Sequence, residues 1–231
     1  MTAVISGGLG DIGAAIARQL AATMPVSVAD LAPHGSSPGS YHQVDVTDPD
    51  AIERWLDEVG VPTVVVPAAA TVTTAPPLEL GPTAWRRELD VDLTGPYLLA
   101  TAAARRMVAA GVRGSIVFVG SWAAHRPHPS IMGYSVAKAG VRMVSQCLAL
   151  DLAPHGIRVN EVAPGYVDAG LSKQIFDADP GRREAATAQV PLHELSTADD
   201  VAGLVTFLVS RAARHITGAT LVADGGLSLL S

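Results

Sequence analysis

Short runs of β-branched apolar residues alternate along the chain with longer stretches in which apolar positions recur every three to four residues. The short runs are typical of buried strands, and the longer periodic stretches are typical of helices. The predicted strands cover residues 2–6, 26–29, 41–44, 63–66, 115–120, 158–163 and 220–223, and the predicted helices cover 12–22, 48–59, 83–109, 133–152 and 197–209. This alternation predicts an α/β fold, a doubly wound parallel sheet with helices on both faces.

Three stretches depart from the regular alternation. Residues 31–40, with two prolines, two glycines and three serines, are predicted to form a loop. Within the long helix 83–109, Gly95-Pro96 is expected to bend or break the helix. Residues 168–195 carry charged residues and short helical patterns after a strand, which predicts a substrate lid. Thr197 is the expected N-cap of the last helix.

Composition fits one domain and argues against several classes of function. The 231 residues, 48% hydrophobic and 16% charged, predict a single domain over residues 1–231 with a large buried core. The net charge of −6 argues against a nucleic acid or an anionic membrane surface as partner. No apolar run reaches about 20 residues, and the first predicted strand begins beside Met1, so we expect a cytoplasmic protein without a targeting segment. Cys147 is the only cysteine, which excludes an intrachain disulfide and a cysteine zinc site; we expect this side chain to be buried and expect no metal.

A glycine-rich turn joins the first predicted strand to the first predicted helix. It contains the pattern G-x-G-x-x-G at Gly8, Gly10 and Gly13. Between a strand and a helix, this pattern is typical of a dinucleotide site, because glycines let the backbone approach a pyrophosphate and the helix N-terminus offers N–H groups to it.

Two acidic residues follow the next strands. Asp30 ends the second strand, where a carboxylate accepts hydrogen bonds from adenosine ribose hydroxyls and repels a 2′-phosphate. No lysine or arginine follows before Arg54, so we expect NAD rather than NADP. Asp45 follows the third strand and is placed to accept a hydrogen bond from the adenine amino group.

Tyr134 and Lys138 lie four residues apart in a predicted helix, and Ser121 lies thirteen residues before Tyr134. A spacing of four puts the phenol and the ammonium on one helix face. A solvated helix face is the ordinary interpretation of such a pair, but a lysine cation also favours the phenolate, which makes the tyrosine a candidate general acid or base. Ser121 follows a buried strand, so its hydroxyl is expected at the carboxyl edge of the sheet, where ligands bind in open α/β folds.

Along nearly its whole length the chain resembles the short-chain dehydrogenase/reductase family. The matching segments are the glycine turn, Asp45-Val46-Thr47, Ser121, Tyr134 and Lys138, residues 157–160, Pro164-Gly165, and residues 216–218 with 224–226. The resemblance implies a single Rossmann-type domain, usually a homotetramer and otherwise a homodimer, that interconverts an alcohol and a carbonyl with NAD(P). It also implies that Tyr134 is the acid/base, that Lys138 binds the nicotinamide ribose and promotes tyrosine ionisation, and that Ser121 hydrogen-bonds the reacting oxygen. The residues expected to contact the cofactor are Gly7, Leu9, Gly10, Asp11, Ile12, Gly13, Asp30, Leu31, Asp45, Val46, Ala68, Ala69, Ala70, Tyr134, Lys138, Pro164, Gly165 and Val167.

The chain departs from the family pattern at three single positions and in one short segment. Asp11 replaces a glycine of the turn; it suits a helix N-terminus but would repel a pyrophosphate. Residues 67–70, Pro-Ala-Ala-Ala, replace Asn-Asn-Ala-Gly and lose one N–H donor at the proline. Asp92 matches the active-site asparagine and is counted here with the catalytic residues, since an ionised carboxylate near Lys138 would strengthen its ammonium form. Ala169 replaces a threonine that contacts the nicotinamide amide.

Several side chains close to the reacting centre are candidates for substrate binding. His125, Arg126 and His128 lie between Ser121 and Tyr134, and cationic groups there suit a polyhydroxylated or anionic substrate, although solvent-facing loop residues are the alternative. Tyr166 and residues 171–190 are expected to shape the pocket. The expected reaction is oxidation of a secondary alcohol of a sugar, polyol or cyclic diol. Two alternatives remain: a carbonyl reductase resembling 3-ketoacyl reductases, and a non-catalytic NAD-binding module.

Overall fold

The computed structural model describes residues 1–33 and 35–230; His34, in the predicted loop 31–40, and Ser231, at the end of the predicted domain, lie outside the described residues. Seven parallel strands form one sheet in the order β3-β2-β1-β4-β5-β6-β7. The strands are β1 (Ala3–Ser6), β2 (Val26–Asp30), β3 (Ser40–Gln43), β4 (Val64–Pro67), β5 (Ser115–Val119), β6 (Arg158–Pro164) and β7 (Thr220–Ala223). The predicted doubly wound parallel sheet is confirmed, with strand bounds within a residue or so of those expected.

Helices cover both faces of this sheet. They are α1 (Asp11–Ala21), α2 (Pro49–Val59), α3 (Pro82–Leu89), α4 (Gly95–Ala109), α5 (Met132–Leu152), α6 (Gly170–Ala178), α7 (Pro180–Gln189) and α8 (Ala198–Val209). Side chains alternate along each strand, so Ile5 packs with the core under α1 and α8, while its neighbour Val4 packs with the core under α2, α4 and α5. The strand order reverses between β1 and β4, which opens a crevice at their carboxyl ends.

The predicted long helix is interrupted one turn earlier than expected. A five-residue π-helical turn, Asp90–Thr94, separates α3 from α4, and the Gly95 N–H donates to the Asp90 carbonyl. Pro96 explains the position of the break, because proline offers no N–H to the carbonyl four residues earlier, that of Asp92, and its ring crowds that carbonyl. The widened turn thereby places Asp92 in the interior, where it is fully buried.

The predicted lid contains two short helices, α6 and α7, and an isolated parallel bridge between Val167 and Ser196 joins its two ends. Thr197 is confirmed as the N-cap of α8, in a reciprocal capping box with Asp200. Within the described residues, no helix has the length and hydropathy to cross a bilayer.

The expectation that Cys147 is buried is wrong, because this side chain is exposed on α5. The buried positions of α5 include Val141, Ser145 and Ala149, which follow a helical spacing. Cys147 lies two residues from Ser145, about 200° around the helix, and therefore faces away from the sheet.

Candidate active site

A cavity of about 500 Å³ lies at the carboxyl edge of the sheet and brings most of the predicted site residues together. Ser121, Tyr134 and Lys138 line it at one end. All the other residues expected to contact the cofactor line the rest of it, namely Gly7, Leu9, Gly10, Asp11, Ile12, Gly13, Asp30, Leu31, Asp45, Val46, Ala68, Ala69, Ala70, Pro164, Gly165 and Val167.

The glycine turn packs so closely that side chains are excluded at two of its positions. Gly7 has a φ of +67°, and a Cβ there would lie 2.6 Å from the Cα of Ala69 on the neighbouring loop. At Gly13, a Cβ would collide with the Gly7 carbonyl oxygen. No side chain of the described residues caps the first turn of α1, so its N–H groups remain free to bind an anion in the cavity.

Asp30 is bound to the glycine turn itself. Its carboxylate accepts hydrogen bonds from the Leu9 N–H at 3.0 Å and from the Ala32 N–H at 3.4 Å. These two bonds hold the carboxylate at the end of β2 and leave it lining the cavity. The Asp45 carboxylate is held in a local turn, where it accepts from the Thr47 N–H at 2.9 Å and the Thr47 hydroxyl at 2.7 Å.

Asp11 points away from the first turn of its own helix. Its carboxylate accepts a hydrogen bond of 2.7 Å from the N–H of Gly170, the first residue of the lid helix α6. Asp11 was expected to suit the N-terminus of α1, but its carboxylate binds the N-terminus of a different helix. The Asp11 carboxylate still lies beside the glycine turn, where it would repel the negatively charged pyrophosphate of a bound dinucleotide.

Lys138 and Tyr134 are positioned by α5 above the end of β5. The Lys138 side chain is buried, and its Nζ donates a 3.0 Å hydrogen bond to the Val119 carbonyl oxygen. The same Nζ lies 5.5 Å from the centroid of the Tyr134 ring. Ser121 caps a short 3₁₀ turn, and its Oγ accepts from the Ala123 N–H at 3.2 Å. The phenol of Tyr134, the ammonium of Lys138 and the hydroxyl of Ser121 thus lie at one end of the cavity. Together these groups can transfer a proton to or from the hydroxyl of a bound alcohol.

Two buried carboxylates flank this end of the cavity. Asp92 accepts a 2.7 Å hydrogen bond from the Thr71 N–H, and Glu88 accepts from the Thr73 N–H. Both side chains are fully buried, and each has one oxygen without a hydrogen-bond partner among the described residues. Burial raises the pKa of Asp92 from 3.8 to about 6, against the opposing effects of the Lys138 cation and the Thr71 N–H.

A third buried carboxylate lies behind Ser121. Glu161, in the middle of β6, accepts a 2.6 Å hydrogen bond from the Thr220 hydroxyl. Its other oxygen abuts Gly120, where any Cβ would collide with it. Burial raises the pKa of Glu161, while the charges of Arg142 and Lys138 oppose the rise.

The predicted substrate-binding residues are placed differently from one another. His125, Arg126, His128 and Tyr166 do not line the cavity, whereas Ser172, within the predicted range 171–190, does. The His125 Nδ1 lies 2.9 Å from an Arg142 nitrogen, and burial followed by the Arg142 charge lowers the pKa of His125. Arg126 donates to the backbone carbonyls of Leu230 and Leu227, which engages it with the last turn of the chain.

Tyr166 belongs to an aromatic cluster beside Ser121. Its ring packs edge-on against Trp122 at 5.3 Å and Phe176 of the lid at 6.4 Å, and its hydroxyl lies 3.3 Å from Nε2 of His128. The edge-to-face geometry is the favoured one for aromatic pairs. The cluster forms an apolar wall between Ser121 and α6, with one polar pair, His128 and Tyr166, in it.

Sequence reasoning missed the buried acids Glu88 and Glu161, the partner of His125, and the cavity residues Thr71 and Arg87. A buried acid carries no local pattern that separates it from a surface acid. Trp122 gave a usable hint, because it directly follows the candidate serine.

Comparison with known proteins gives consistent matches over nearly the whole chain. A family model described as enoyl-(acyl carrier protein) reductase matches residues 11–228. The cis-4-hydroxycyclohexanecarboxylate dehydrogenase of Sinomonas cyclohexanicum is 36% identical, in an alignment that covers 97% of this chain and 95% of the relative.

Two solved structures share the fold. A putative 2-deoxy-D-gluconate 3-dehydrogenase from Agrobacterium tumefaciens with bound NADP has a TM-score of 0.91 and 28% identity, covering 99% of this chain and 96% of its own. A 4-hydroxyisoleucine dehydrogenase complexed with NADH has a TM-score of 0.93 over 100% of this chain and 99% of its own; at 23% identity it supports the fold alone. With the family model, the relative and the geometry in agreement, the chain belongs to the short-chain dehydrogenase/reductase family, whose members are oxidoreductases that use a nicotinamide cofactor.

Proposed function

We propose that this protein is an NAD-dependent dehydrogenase that oxidises a secondary alcohol of a sugar, polyol or cyclic diol. The observation that carries the proposal is that Ser121, Tyr134 and Lys138 line the same cavity as the glycine turn. A dinucleotide bound by the turn and a substrate bound beside the tyrosine would share one enclosed space, so the reacting groups could meet.

The residues of the cavity fit a dinucleotide. The glycine turn and the uncapped N-terminus of α1 suit its pyrophosphate, while the small side chains Ala68, Ala69 and Ala70 leave room for the ring system. When bound, the nicotinamide ring supplies the hydride chemistry that no amino-acid side chain provides. Tyr134 takes the hydroxyl proton of the substrate, the Lys138 cation stabilises the resulting phenolate, and Ser121 holds the reacting oxygen.

Substrate class is supported by the apolar wall and by the relatives. Trp122 and Tyr166 do not line the cavity itself, but their cluster lies beside Ser121 and would border a substrate held there, and the His128–Tyr166 pair would offer that substrate a hydrogen-bonding partner. The named reaction of the Sinomonas relative concerns a cyclic hydroxy acid. The lid, residues 168–195, would close over this wall, since Phe176 of α6 packs against Tyr166. A carbonyl reductase working in the opposite direction is the second candidate, because the matching family model is described as a reductase.

A homotetramer or homodimer is part of the proposal. Four side chains of α5, Val136, Met143, Cys147 and Leu150, are exposed and are mostly apolar. Burial of such a face against a second copy would remove apolar surface from water.

The deciding experiment is an initial-rate screen of polyols, sugars, cyclic diols and cyclic hydroxy acids with NAD, together with the matching ketones and NADH. Turnover of an alcohol series with NAD supports the proposal, and turnover of ketones alone supports the reductase. No turnover of any compound, with NADH binding retained, would establish the third possibility, a non-catalytic binding module.

Cofactor choice is expected to depend on Asp30. Replacing Asp30 with Ala removes the carboxylate that would repel a 2′-phosphate, so the ratio of kcat/KM for NAD over NADP should fall by about tenfold or more. The matched control is Asp45→Ala, which removes a neighbouring cavity carboxylate. Tighter binding of NADPH than of NADH by the unmodified protein would refute the assignment of NAD.

A further inference from the structure

A second cavity, of about 690 Å³, lies at the opposite edge of the sheet from the candidate active site. It is formed where β5 and β6 begin and where α8 ends. Its basic lining residues are the four arginines Arg113, Arg158, Arg211 and Arg214, together with His215. Among the described residues that line it there is no Asp or Glu.

This concentration of positive charge stands in a chain whose overall composition is acidic. The protein has 16 Lys and Arg residues against 22 Asp and Glu residues, yet four of the arginines meet here. Six arginines outside the cavity form ion pairs, as Arg106 does with Glu53 and Asp57. Within residues 1–33 and 35–230, no ion pair involves the four arginines of the cavity, and the same holds for Arg86, Arg87, Arg126 and Arg142 elsewhere.

Arg158 is the least solvated of the four. It begins β6, is partly buried, and donates one hydrogen bond of 3.3 Å to the Ile216 carbonyl oxygen. Burial lowers its pKa, which means that the surroundings do not compensate its charge. A partly desolvated guanidinium with free N–H groups gains more from an anion than an exposed one does.

We propose that this cavity binds a small anion that carries several phosphate groups. A guanidinium group can bind two phosphate oxygens at once, and four arginines around one concave space suit a ligand with two or more phosphates. A cavity of this size is of the order of a small-molecule site and is too small to enclose a macromolecule. The site is separate from the cofactor cavity, because the two share no lining residue.

The test is calorimetric titration of the full chain with inorganic tripolyphosphate, at an ionic strength held at about 0.15 M with NaCl. The informative variant is Arg211→Gln with Arg214→Gln, since both side chains are exposed and their loss should leave the fold unchanged. We expect this variant to bind the anion at least about tenfold more weakly than the unmodified protein. Arg158→Gln should weaken binding by a similar factor, with thermal melts to check that it is folded.

The matched control is Arg18→Gln with Arg86→Gln, which changes the net charge equally but lies outside the cavity. It should retain the affinity of the unmodified protein. Equal affinity of the unmodified protein and all three variants would place the anion elsewhere, the cofactor cavity included, and would overturn the proposal. Absence of measurable binding would also overturn the proposal. The role of the arginines would then be structural, because cations stabilise the C-terminal end of a helix such as α8.

Discussion

Replacing Tyr134 with Phe is expected to reduce kcat by about 1,000-fold or more, because general acid–base catalysis contributes roughly 10²–10⁴ to a rate and no other phenol lines the cavity among the described residues. The change removes one oxygen and keeps the ring, so packing against Lys138 should be preserved. Binding of NADH, followed by its fluorescence, should change by less than about twofold, since the ring that remains fills the same space.

Tyr97→Phe is the control for this experiment. Tyr97 is exposed on α4, and its hydroxyl is remote from the cavity lining. The control should therefore turn over normally. If the Tyr134 variant kept a tenth of the activity of the unmodified enzyme, the proton would have to pass through another group and the proposed role would fail.

Replacing Asp92 with Asn is expected to stabilise the protein, and to do so more strongly as the pH rises. The pKa of Asp92 is raised from 3.8 to about 6 by burial, so the folded protein carries an unfavourable buried charge above about pH 6. The folded state binds the proton more tightly than the unfolded state, so this penalty is full above about pH 6 and vanishes below about pH 4. At 1.36 kcal/mol per pKa unit the penalty amounts to about 3 kcal/mol at pH 8.

Urea unfolding of both proteins at pH 5 and pH 8 measures this effect. The stability gained by the Asn variant should be about 1–2 kcal/mol larger at pH 8, because part of the penalty is already relieved at pH 5. Asp90→Asn is the control, an exposed carboxylate in the same π-helical turn. A gain that does not depend on pH would contradict the raised pKa.

The pH dependence of the catalytic rate gives a second test of the role of Asp92. Asp92, with its pKa raised to about 6, changes charge beside Lys138 in the acidic range, so the acidic limb of the pH–rate profile should shift when Asn replaces it. An unchanged profile would show that the carboxylate acts on stability alone.

The features that the sequence predicted best are those encoded by local spacing. The glycine turn, the pair Tyr134 and Lys138, and the N-cap Thr197 each depend on residues within one turn of a helix or strand end, where elementary geometry decides their relation. The parallel sheet could also be predicted from local patterns, because alternating short and long apolar segments leave few other ways to bury a core.

The features that could not be predicted depend on contacts between distant parts of the chain. The partner of Asp11 is 159 positions away, and Glu161 meets Thr220 across 59 positions. The break in the long helix was expected at Gly95-Pro96 itself, but the strain of the proline is taken up by the preceding turn. Cys147 was misplaced because α5 buries only one face, and apolar residues occur on its exposed face as well, so hydropathy does not mark the buried one.

The hydrogen bond from Gly170 to Asp11 joins the predicted lid to the glycine turn. An outward movement of α6 would break this bond and would leave the Asp11 carboxylate without this partner beside the phosphates of a bound nucleotide. Electrostatic repulsion would then hasten the departure of spent coenzyme, so a single movement would clear both ends of the site. Asp11, which replaces a glycine of the turn, would in this way lower the affinity for the coenzyme and raise the rate at which the coenzyme dissociates.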